Sequence, residues 1–450
     1  MRSSVHVVLA LAACGGSGQP VAESAPPNEP PPVAGARVEL VRESVLGGQV
    51  YVLDTGGERE STMVLVHGLG QNASRDWDTV VPALAARHRV IAVDLPGFGR
   101  STGGNHPYSP ELYVSVLDEV LGARVSGPFI LVGHSMGGAV SLLYAATHPD
   151  RVDRLVLIDA AGILHRDTYT SFMMHARLNS LLASVATTVM SPFARRTPNP
   201  ELILESEVTR ETFLGGDPNR IAALALILHD FGPALDRVRA PTLILWGADD
   251  DIAAMRVARL LESRLPAARL EVRQGVGHLP MVDDPAWVIE RVDAFAVVEA
   301  PVPAPPPAPG ASVGRCTDVR EPHVIEGAYD RIEIERCRDV ELRGVVARSI
   351  VVRDSVVSLD RVRITGPVGA PGLDLTESVV RMTGGRVEAP VCVRLAGSEL
   401  DVAGAVLECE ESAFVALDRS KLVLSVTRAS TTRGTRHYHE VRVIDDGERL

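Results

Sequence analysis

Lysine is almost absent from this chain of 450 residues, in which Lys421 is the only one and arginine supplies the other basic side chains. We interpret this as the codon bias of a GC-rich genome. The formal net charge of −12 leaves no excess of positive charge, which argues against a nucleic-acid-binding surface. Hydrophobic residues make up 46% of the chain and charged residues 23%, so a sizeable core is possible and global disorder is not expected.

Cysteine is also scarce, with five residues in the chain and no CxxC pair, so a zinc site has little support. Four of the five, Cys316, Cys337, Cys392 and Cys409, lie in the last third. An even number of cysteines in an exported protein predicts two disulfides, for which three pairings are possible. The alternative is four buried free thiols.

No long hydrophobic run opens the chain. After Arg2, the apolar stretch Val5–Ala13 is interrupted by His6 and is too short to span a bilayer as a mature helix. It leads into the sequence LAAC, which resembles the lipobox of bacterial lipoproteins. We therefore predict that residues 1–14 are a signal peptide, and that Cys14 is lipidated and anchors the protein to a bacterial membrane, facing the periplasm or the outer surface. An ordinary secretory signal and an unprocessed N-terminus are the alternatives.

Two proline-rich segments divide the chain. Residues 15–36 are predicted to be a tether, and residues 300–311 a linker, because such sequences favour extended, semi-rigid conformations. They delimit a domain at 37–299 and a second domain at 312–450 whose sequence pattern is different.

The central domain alternates strand and helix patterns. Continuous apolar runs are typical of parallel strands covered on both faces, and alternation with helices predicts a doubly wound α/β sheet. Residues 163–232 break this rhythm and are interpreted as an inserted helical cap, in which Met- and Leu-rich patches either line an apolar pocket or pack the cap onto the core. The predicted strands are 62–66, 89–93, 129–132, 155–158, 242–245 and 269–272, and the clearest helices are 136–147 and 285–298.

The segment Gly133–Gly138 (GHSMGG) follows a predicted strand and opens a predicted helix. This context turns a GxSxG pattern into a nucleophile elbow, a tight turn that presents a serine hydroxyl above the edge of the sheet. Glycines are required where side chains would clash in such a turn. Ser135 is therefore the candidate nucleophile, and the alternative is an inert serine in a glycine-rich turn.

A nucleophilic serine requires a base, and the base requires an acid that orients it. The segment Asp249–Asp251 follows one predicted strand, and His278 follows another, so both reach the carboxyl edge of the sheet. Asp159, at the end of a further strand, is a rival acid. His67 is interpreted as a residue that braces a loop rather than as the base.

Together these motifs resemble the α/β-hydrolase family, specifically its capped, esterase-like members, over about residues 37–298. The resemblance implies that Asp250 is the acid, His278 the base and Ser135 the nucleophile. It also implies an oxyanion hole formed by the backbone N–H groups of Leu69 and Met136. The motifs that carry it are His67-Gly68-Leu69-Gly70, Asp94-Leu95-Pro96-Gly97-Phe98-Gly99-Arg100-Ser101, the elbow, Trp246-Gly247-Ala248-Asp249-Asp250 and Gly277-His278.

The resemblance implies acyl transfer from a small-molecule carboxylic ester to water, with no metal or organic cofactor. An amidase, peptidase, lactonase or perhydrolase could use the same triad, and a non-catalytic surface-binding lipoprotein is the alternative from another class. A serine nucleophile argues against the epoxide hydrolase and haloalkane dehalogenase branches. Leu279 stands where several ring-cleavage hydrolases carry Trp, which argues against that chemistry.

The C-terminal domain repeats weakly. Ser355, Ser378, Ser398 and Ser420 recur at intervals of about 20 residues, each before a strand-like run. A period near 20 with short strands and few helix signals predicts an all-β stack of coils such as a parallel β-helix, and a β-sandwich is the alternative. Few aromatics and no acid cluster argue against sugar chemistry, so we expect a spacer or a module that contacts glycans or the cell wall.

Overall fold

A computed structural model describes residues 31–57, 59–164, 200–297, 307–366, 369–439 and 441–444. The predicted signal peptide with Cys14, most of the tether and part of the linker lie outside the described residues. So does the first half of the predicted cap, including Met173 and Met174. Among the described residues, no helix has the length and hydropathy needed to cross a membrane.

The chain divides into two compact units, one of Met1–Ala258 with Arg269–Ala300 and one of Arg259–Ala268 with Pro301–Leu450. The first contains an eight-stranded sheet in the order β1-β2-β4-β3-β5-β6-β7-β8. Its strands are β1 (Arg37–Arg42), β2 (Gln49–Asp54), β3 (Thr62–Val66), β4 (Arg89–Val93), β5 (Phe129–His134), β6 (Val152–Ile158), β7 (Thr242–Gly247) and β8 (Ala268–Arg273).

Strands β4, β3, β5, β6 and β7 pair in parallel, whereas β1 and β2 form an antiparallel hairpin whose second strand joins β4. Every residue of β5 and β7 is buried, as the continuous apolar runs predict for strands covered on both faces. The doubly wound sheet predicted from the sequence is therefore confirmed, and the N-terminal hairpin is an addition that the sequence analysis did not predict.

Capping residues explain where helices of this unit begin. The helix over Pro110–Gly122 starts at Ser109, whose side chain accepts a hydrogen bond from the N–H of Leu112, and proline occupies its first turn. The helices are α1 (Val81–Leu84), α2 (Pro110–Gly122), α3 (Met136–Thr147), α4 (Pro200–Glu205), α5 (Glu207–Leu214), α6 (Pro218–Leu228), α7 (Gly232–Leu235), α8 (Met255–Arg264), α9 (Pro280–Asp283) and α10 (Pro285–Val297), with a 3-10 helix at Ala73–Trp77.

The described part of the predicted cap is helical. Helices α4, α5 and α6 follow one another, and Arg210 on α5 connects the cap to the loop that contains Asn105. Arg210 is buried, and it donates from Nε to Asn105 Oδ1 at 2.8 Å and from Nη2 to the Asn105 carbonyl at 2.8 Å.

The second unit consists of strands in the residues that the structure describes beyond 306. They are β9 (Val313–Thr317), β10 (His323–Ile325), β11 (Ala328–Glu335), β12 (Val340–Arg343), β13 (Val346–Arg353), β14 (Val356–Asp360), β15 (Arg363–Thr365), β16 (Pro371–Thr376), β17 (Val379–Thr383), β18 (Arg386–Ala396), β19 (Glu399–Ala403), β20 (Val406–Leu417), β21 (Lys421–Ser425), β22 (Thr427–Thr431), β23 (Gly434–Tyr438) and β24 (Val441–Ile444).

These strands form two sheets. One has the order β10-β12-β14-β17-β19-β21-β24, and the other has the order β23-β22-β20-β18-β15-β13-β11-β9, with β16 beside β13 and β18. The pairing is parallel except at one end, where β24 and β23 run antiparallel to β21 and β22. Rows of apolar residues run in register along the first sheet, and the row that ends in Leu424 is buried throughout. That row is Leu342, Leu359, Met382, Val402 and Leu424.

The four repeated serines form a continuous ladder of hydrogen bonds. Ser355 Oγ accepts from the N–H of Cys337 at 2.9 Å, and the hydroxyls of Ser378, Ser398 and Ser420 accept in turn from the N–H of the preceding serine at 3.2, 3.1 and 3.2 Å. Each hydroxyl also donates to a nearby backbone carbonyl, and all four side chains are buried. The repeat seen in the sequence therefore has a physical cause, because each serine satisfies a buried backbone donor.

The four cysteines of this unit form two disulfides, Cys316–Cys337 and Cys392–Cys409. This selects one of the three possible pairings and excludes the alternative of four free thiols. Each disulfide closes a short loop, with sequence separations of 21 and 17 residues.

Candidate active site

Ser135 lies at the turn between β5 and α3, with φ 51° and ψ −120°, a left-handed conformation that a non-glycine residue adopts at a cost. The flanking glycines let the turn close. A Cβ at Gly133 would lie 2.4 Å from the carbonyl oxygen of Gly137, and one at Gly137 would lie 2.3 Å from that of Val66. The steric need for glycine that the sequence predicted is therefore confirmed.

His278 contacts the serine. Its Nε2 is 2.9 Å from Ser135 Oγ, and its Nδ1 is 2.8 Å from Asp250 Oδ2. The imidazole is 14% exposed, whereas the Asp250 side chain is 1% exposed. The hydroxyl, imidazole and carboxylate that the sequence predicted as a triad thus form one chain of hydrogen bonds.

Two backbone donors fix the other oxygen of Asp250. Its Oδ1 accepts from the N–H groups of Ile252 and Ala253 at 2.8 and 2.9 Å. The alternatives considered in the sequence, Asp249 and Asp251, are both exposed. The structure therefore brings Asp250, and neither of its neighbours, to His278.

Asp159, the rival acid, directly follows β6 and has φ 43°. Its side chain is buried, and Oδ1 accepts from the N–H of Gly247 at 2.9 Å. Burial, together with the negative charge of Asp250, raises the pKa of Asp159 well above its ordinary range. Nδ1 of His278 donates to Asp250 rather than to Asp159, so Asp159 does not take the position of Asp250.

The predicted oxyanion donors lie on either side of the elbow. Met136 is the first residue of α3, and its side chain is buried. Leu69 lies in the loop after β3, which passes close to the nucleophile, since a Cβ at Gly68 would lie 2.8 Å from Ser135 Cβ. The backbone N–H groups of these two residues remain the predicted oxyanion donors.

His67 holds that loop. Its Nδ1 donates to the carbonyl of Gly68 at 2.6 Å, and its Nε2 accepts from the N–H of Leu95 at 2.9 Å. Both bonds require the neutral imidazole, and burial lowers the pKa of His67 in agreement. The bracing role predicted for His67 thus has two hydrogen bonds behind it, one on each ring nitrogen.

His134 has a contact that the sequence analysis did not predict. Nε2 of His134 donates to the backbone carbonyl of His278 at 2.7 Å. Burial, and then the neighbouring His278, lowers the pKa of His134 well below its ordinary value, which keeps the ring neutral. Its position next to Ser135 was the available signal, but the backbone partner could not be read from side-chain patterns.

One group of side chains among the described residues has spacing compatible with a metal ion. Asp159, Asp250 and His278 each offer an atom that lies within 4.8 Å of the other two. The His278 and Asp250 atoms are already joined by the hydrogen bond of the triad. We therefore interpret this group as part of the triad rather than as a metal centre.

This site and fold match a known family. Residues 63–291, just over half of the chain, match the family described as Alpha/beta hydrolase family. The chain belongs to this family. The α/β-hydrolase fold predicted from the motifs is thereby confirmed for the first unit.

Individual relatives of this α/β hydrolase span the same region. An uncharacterized protein of Mycobacterium tuberculosis is 30% identical over 259 residues, which cover 52% of this chain and 74% of the relative. The pimeloyl-[acyl-carrier protein] methyl ester esterase of Edwardsiella ictaluri is 30% identical over 241 residues, covering 51% and 91%.

A further relative and one solved structure are also similar to this α/β hydrolase. The 2-hydroxy-6-oxononadienedioate/2-hydroxy-6-oxononatrienedioate hydrolase of Paraburkholderia phymatum is 31% identical over 257 residues, covering 51% and 84%. An esterase structure from Exiguobacterium antarcticum superposes with a TM-score of 0.45 at 22% identity, covering 58% of this chain and 99% of that one.

Proposed function

We propose that this α/β hydrolase is a serine hydrolase that cleaves a carboxylic ester through an acyl-enzyme. The observation that carries the proposal is the unbroken chain of hydrogen bonds from Ser135 Oγ through His278 to Asp250. A serine becomes nucleophilic when a base within 3 Å takes its proton, and the buried acid holds that base in the required tautomer. The esterase among its relatives supports ester hydrolysis.

The mechanism follows from the geometry. His278 takes the proton of Ser135 as the hydroxyl oxygen attacks the carbonyl carbon of the substrate. The N–H groups of Leu69 and Met136 stabilise the oxyanion of the tetrahedral intermediate. His278 then protonates the leaving alcohol, an acyl-enzyme remains, and water attacks it with His278 again as the base.

Labelling with a fluorophosphonate probe tests this proposal. Wild-type protein should label and hydrolyse at least one ester of a p-nitrophenyl panel, and Ser135→Ala should do neither. Removing a nucleophile of this kind lowers kcat by about 10⁶-fold. Turnover by Ser135→Ala at the wild-type rate would refute the assignment.

Amides, lactones and peroxyacids are alternative substrates for the same triad. They differ from esters in the leaving group that His278 must protonate, so rates on matched ester and amide substrates with one acyl group separate them. An unlabelled but folded wild-type protein would instead favour a non-catalytic surface-binding lipoprotein.

We further propose that the second unit is a parallel β-helix that serves as a spacer or contacts glycans or the cell wall. Parallel pairing between strands about 20 residues apart, as between β17 and β19, supports a coil-by-coil stack over a β-sandwich, whose strands are mainly antiparallel. Co-sedimentation of the full chain with purified cell wall tests the binding role, with a chain lacking residues 312–450 as the comparison.

The LAAC sequence that ends at Cys14 supports the proposal of a lipid anchor on a bacterial membrane, facing the periplasm or the outer surface. Metabolic labelling with a fatty-acid analogue should mark the wild-type protein and leave Cys14→Ala unmarked. Labelling of both would place the lipid elsewhere, and labelling of neither would favour an ordinary secretory signal.

A further inference from the structure

A second carboxyl lies behind the acid of the triad. Asp159 is fully buried at the end of β6, and the N–H of Gly247 donates to its Oδ1 at 2.9 Å. Gly247 ends β7, three residues before Asp250, so one hydrogen bond already joins Asp159 to the loop that carries the acid.

The other oxygen of Asp159 lacks such a donor. Oδ2 is buried and has no hydrogen-bond partner among the described groups. Asp250 and His278 each present an atom within 4.8 Å of an Asp159 oxygen. A buried carboxylate oxygen without a donor is costly, whereas a protonated one can itself donate.

Two carboxyl groups this close in a buried site do not both ionise readily, and the better-solvated one keeps the charge. Asp250 accepts from three donors, His278 Nδ1 and the N–H groups of Ile252 and Ala253, whereas Asp159 accepts only from Gly247 within the described part of the chain. The charge therefore stays on Asp250 and the proton on Asp159.

Other charges near Asp159 favour the same distribution. Burial has the largest effect on the pKa of Asp159, and the negative charge of Asp250 comes next. Asp283 adds a weaker repulsion from the side of α9, and His278 hydrogen-bonds to Asp250 rather than to Asp159.

Resting on the serine-hydrolase function proposed above, we propose that Asp159 is a positioning residue of the triad, a neutral carboxyl whose Oδ2–H donates to the Asp250 carboxylate and holds it against His278. Asp159 takes no proton during the reaction. The proton of Ser135 moves to Nε2 of His278 and then to the leaving group, while Nδ1 keeps its own proton for Asp250. A neutral neighbour fixes Asp250 without placing a second negative charge behind the imidazole.

Two substitutions separate this role from a charged one and from a purely structural one. Asp159→Asn keeps an oxygen for Gly247 and supplies an N–H for Asp250, whereas Asp159→Ala removes both groups. Asp159→Ala should lower kcat by about 10- to 100-fold with KM changed less than about twofold, because a hydrogen bond to a charged group is lost. Asp159→Asn should recover most of that loss.

The acid limb of the pH profile of kcat/KM gives the decisive measurement. Because the amide replaces a neutral group, Asp159→Asn should leave the pKa of that limb within about 0.3 of the wild-type value. A fall of about one unit would mean that Asp159 carries a negative charge in the wild-type protein, and the proposal would be overturned. Equal losses of kcat in both variants would overturn it as well.

Matched controls keep the test interpretable. Asp339 also has a left-handed backbone, with φ 56°, but is exposed and lies in the second unit, so Asp339→Ala reports the cost of alanine in that conformation and should leave kcat unchanged. If Asp159→Ala does not fold, the pH profile of Asp159→Asn decides alone. Labelling that depends on Ser135 establishes the hydrolase function independently, so failure of the Asp159 variants would refute only the positioning role.

Discussion

His134 and His278 are joined by a hydrogen bond of 2.7 Å in which the ring of the first donates to the backbone carbonyl of the second. The residue before Ser135 therefore supports the loop that carries His278. His134 directly precedes Ser135 in the elbow. A substitution of His134 therefore affects the Ser135–His278 contact through this one hydrogen bond.

We expect His134→Leu to lower kcat by about tenfold with little change in KM, because the loss of one buried hydrogen bond leaves the His278 loop less fixed. His134→Gln offers an amide donor of similar reach and should recover part of the rate. Steady-state kinetics on one ester measure both variants, and His323→Leu, at an exposed histidine of the second unit, is the control. Equal rates for Leu and Gln would show that the donor is not what matters.

Gly137 is predicted to tolerate no side chain. Gly137→Ala places a Cβ against backbone that cannot move without opening the elbow, since Val66 O would be 2.3 Å away. Overpacking of this kind costs about 1–3 kcal/mol or more, and ester hydrolysis should fall with it. Gly122→Ala is the matched control at the end of α2, where a Cβ meets nothing within 4 Å. That control should be neutral or raise the free energy of unfolding by up to about 1 kcal/mol.

The cap and core share an ion pair whose pH dependence can be measured. His229, which follows α6, lies 2.9 Å from Glu111 on α2, and hydrogen bonding to it lowers the pKa of Glu111 from 4.5 to about 2. A carboxyl with a lowered pKa stabilises the fold above its unfolded-state value, and this contribution disappears as the pH falls from about 4.5 to about 2.

Glu111→Gln should therefore be less stable than the wild type at pH 6 and equally stable near pH 2. Because the Glu111 side chain is 60% exposed, solvent screening limits the difference to about 1 kcal/mol. Urea unfolding at several pH values measures it, with Glu205→Gln as a control at an exposed glutamate. A difference that does not change with pH would contradict the assignment to the ion pair.

Much of the first unit was predictable because its signals are local. Runs such as Thr62–Val66 are apolar throughout, so both the strand and its burial follow from the sequence. The hairpin of β1 and β2 was not predicted, since β1 is mostly exposed and carries no continuous apolar run. Strand ends place Asp159 and Asp250 at one edge of the sheet, and it was the resemblance to the α/β-hydrolase family that favoured Asp250 as the carboxyl that turns toward His278.

In the second unit, too, features that depend on neighbouring residues were predictable, and contacts between distant residues were not. The interval between serines gave the period of the stack, but the partners of each hydroxyl depend on the register of the coils. The number of cysteines predicted two disulfides, whereas the pairing required Cys316 and Cys337, and likewise Cys392 and Cys409, to lie close together in space.

Ser378 tests the serine ladder. Ser378→Ala removes the acceptor for the N–H of Ser355 and leaves that buried backbone donor unpaired, whereas the carbonyl of Thr376 keeps the N–H of Asp354 as its donor. We expect a loss of about 1–3 kcal/mol in the free energy of unfolding of this unit. Ser358→Ala, at an exposed serine of β14, should change it by less than about 0.5 kcal/mol. Equal effects would mean that the ladder contributes no more than a surface hydroxyl.

The ladder also bears on the length of this unit. Because Ser355, Ser378 and Ser398 each bond to the next serine in the same way, the segment between two serines is an interchangeable repeat. Removing residues 355–377 would bring Ser378 into the position of Ser355, would keep all four disulfide-bonded cysteines and would shorten this unit by one strand spacing, about 4.8 Å. Insertion of another such segment would lengthen it by the same step, so the length of this unit can change during evolution without any redesign of its interior.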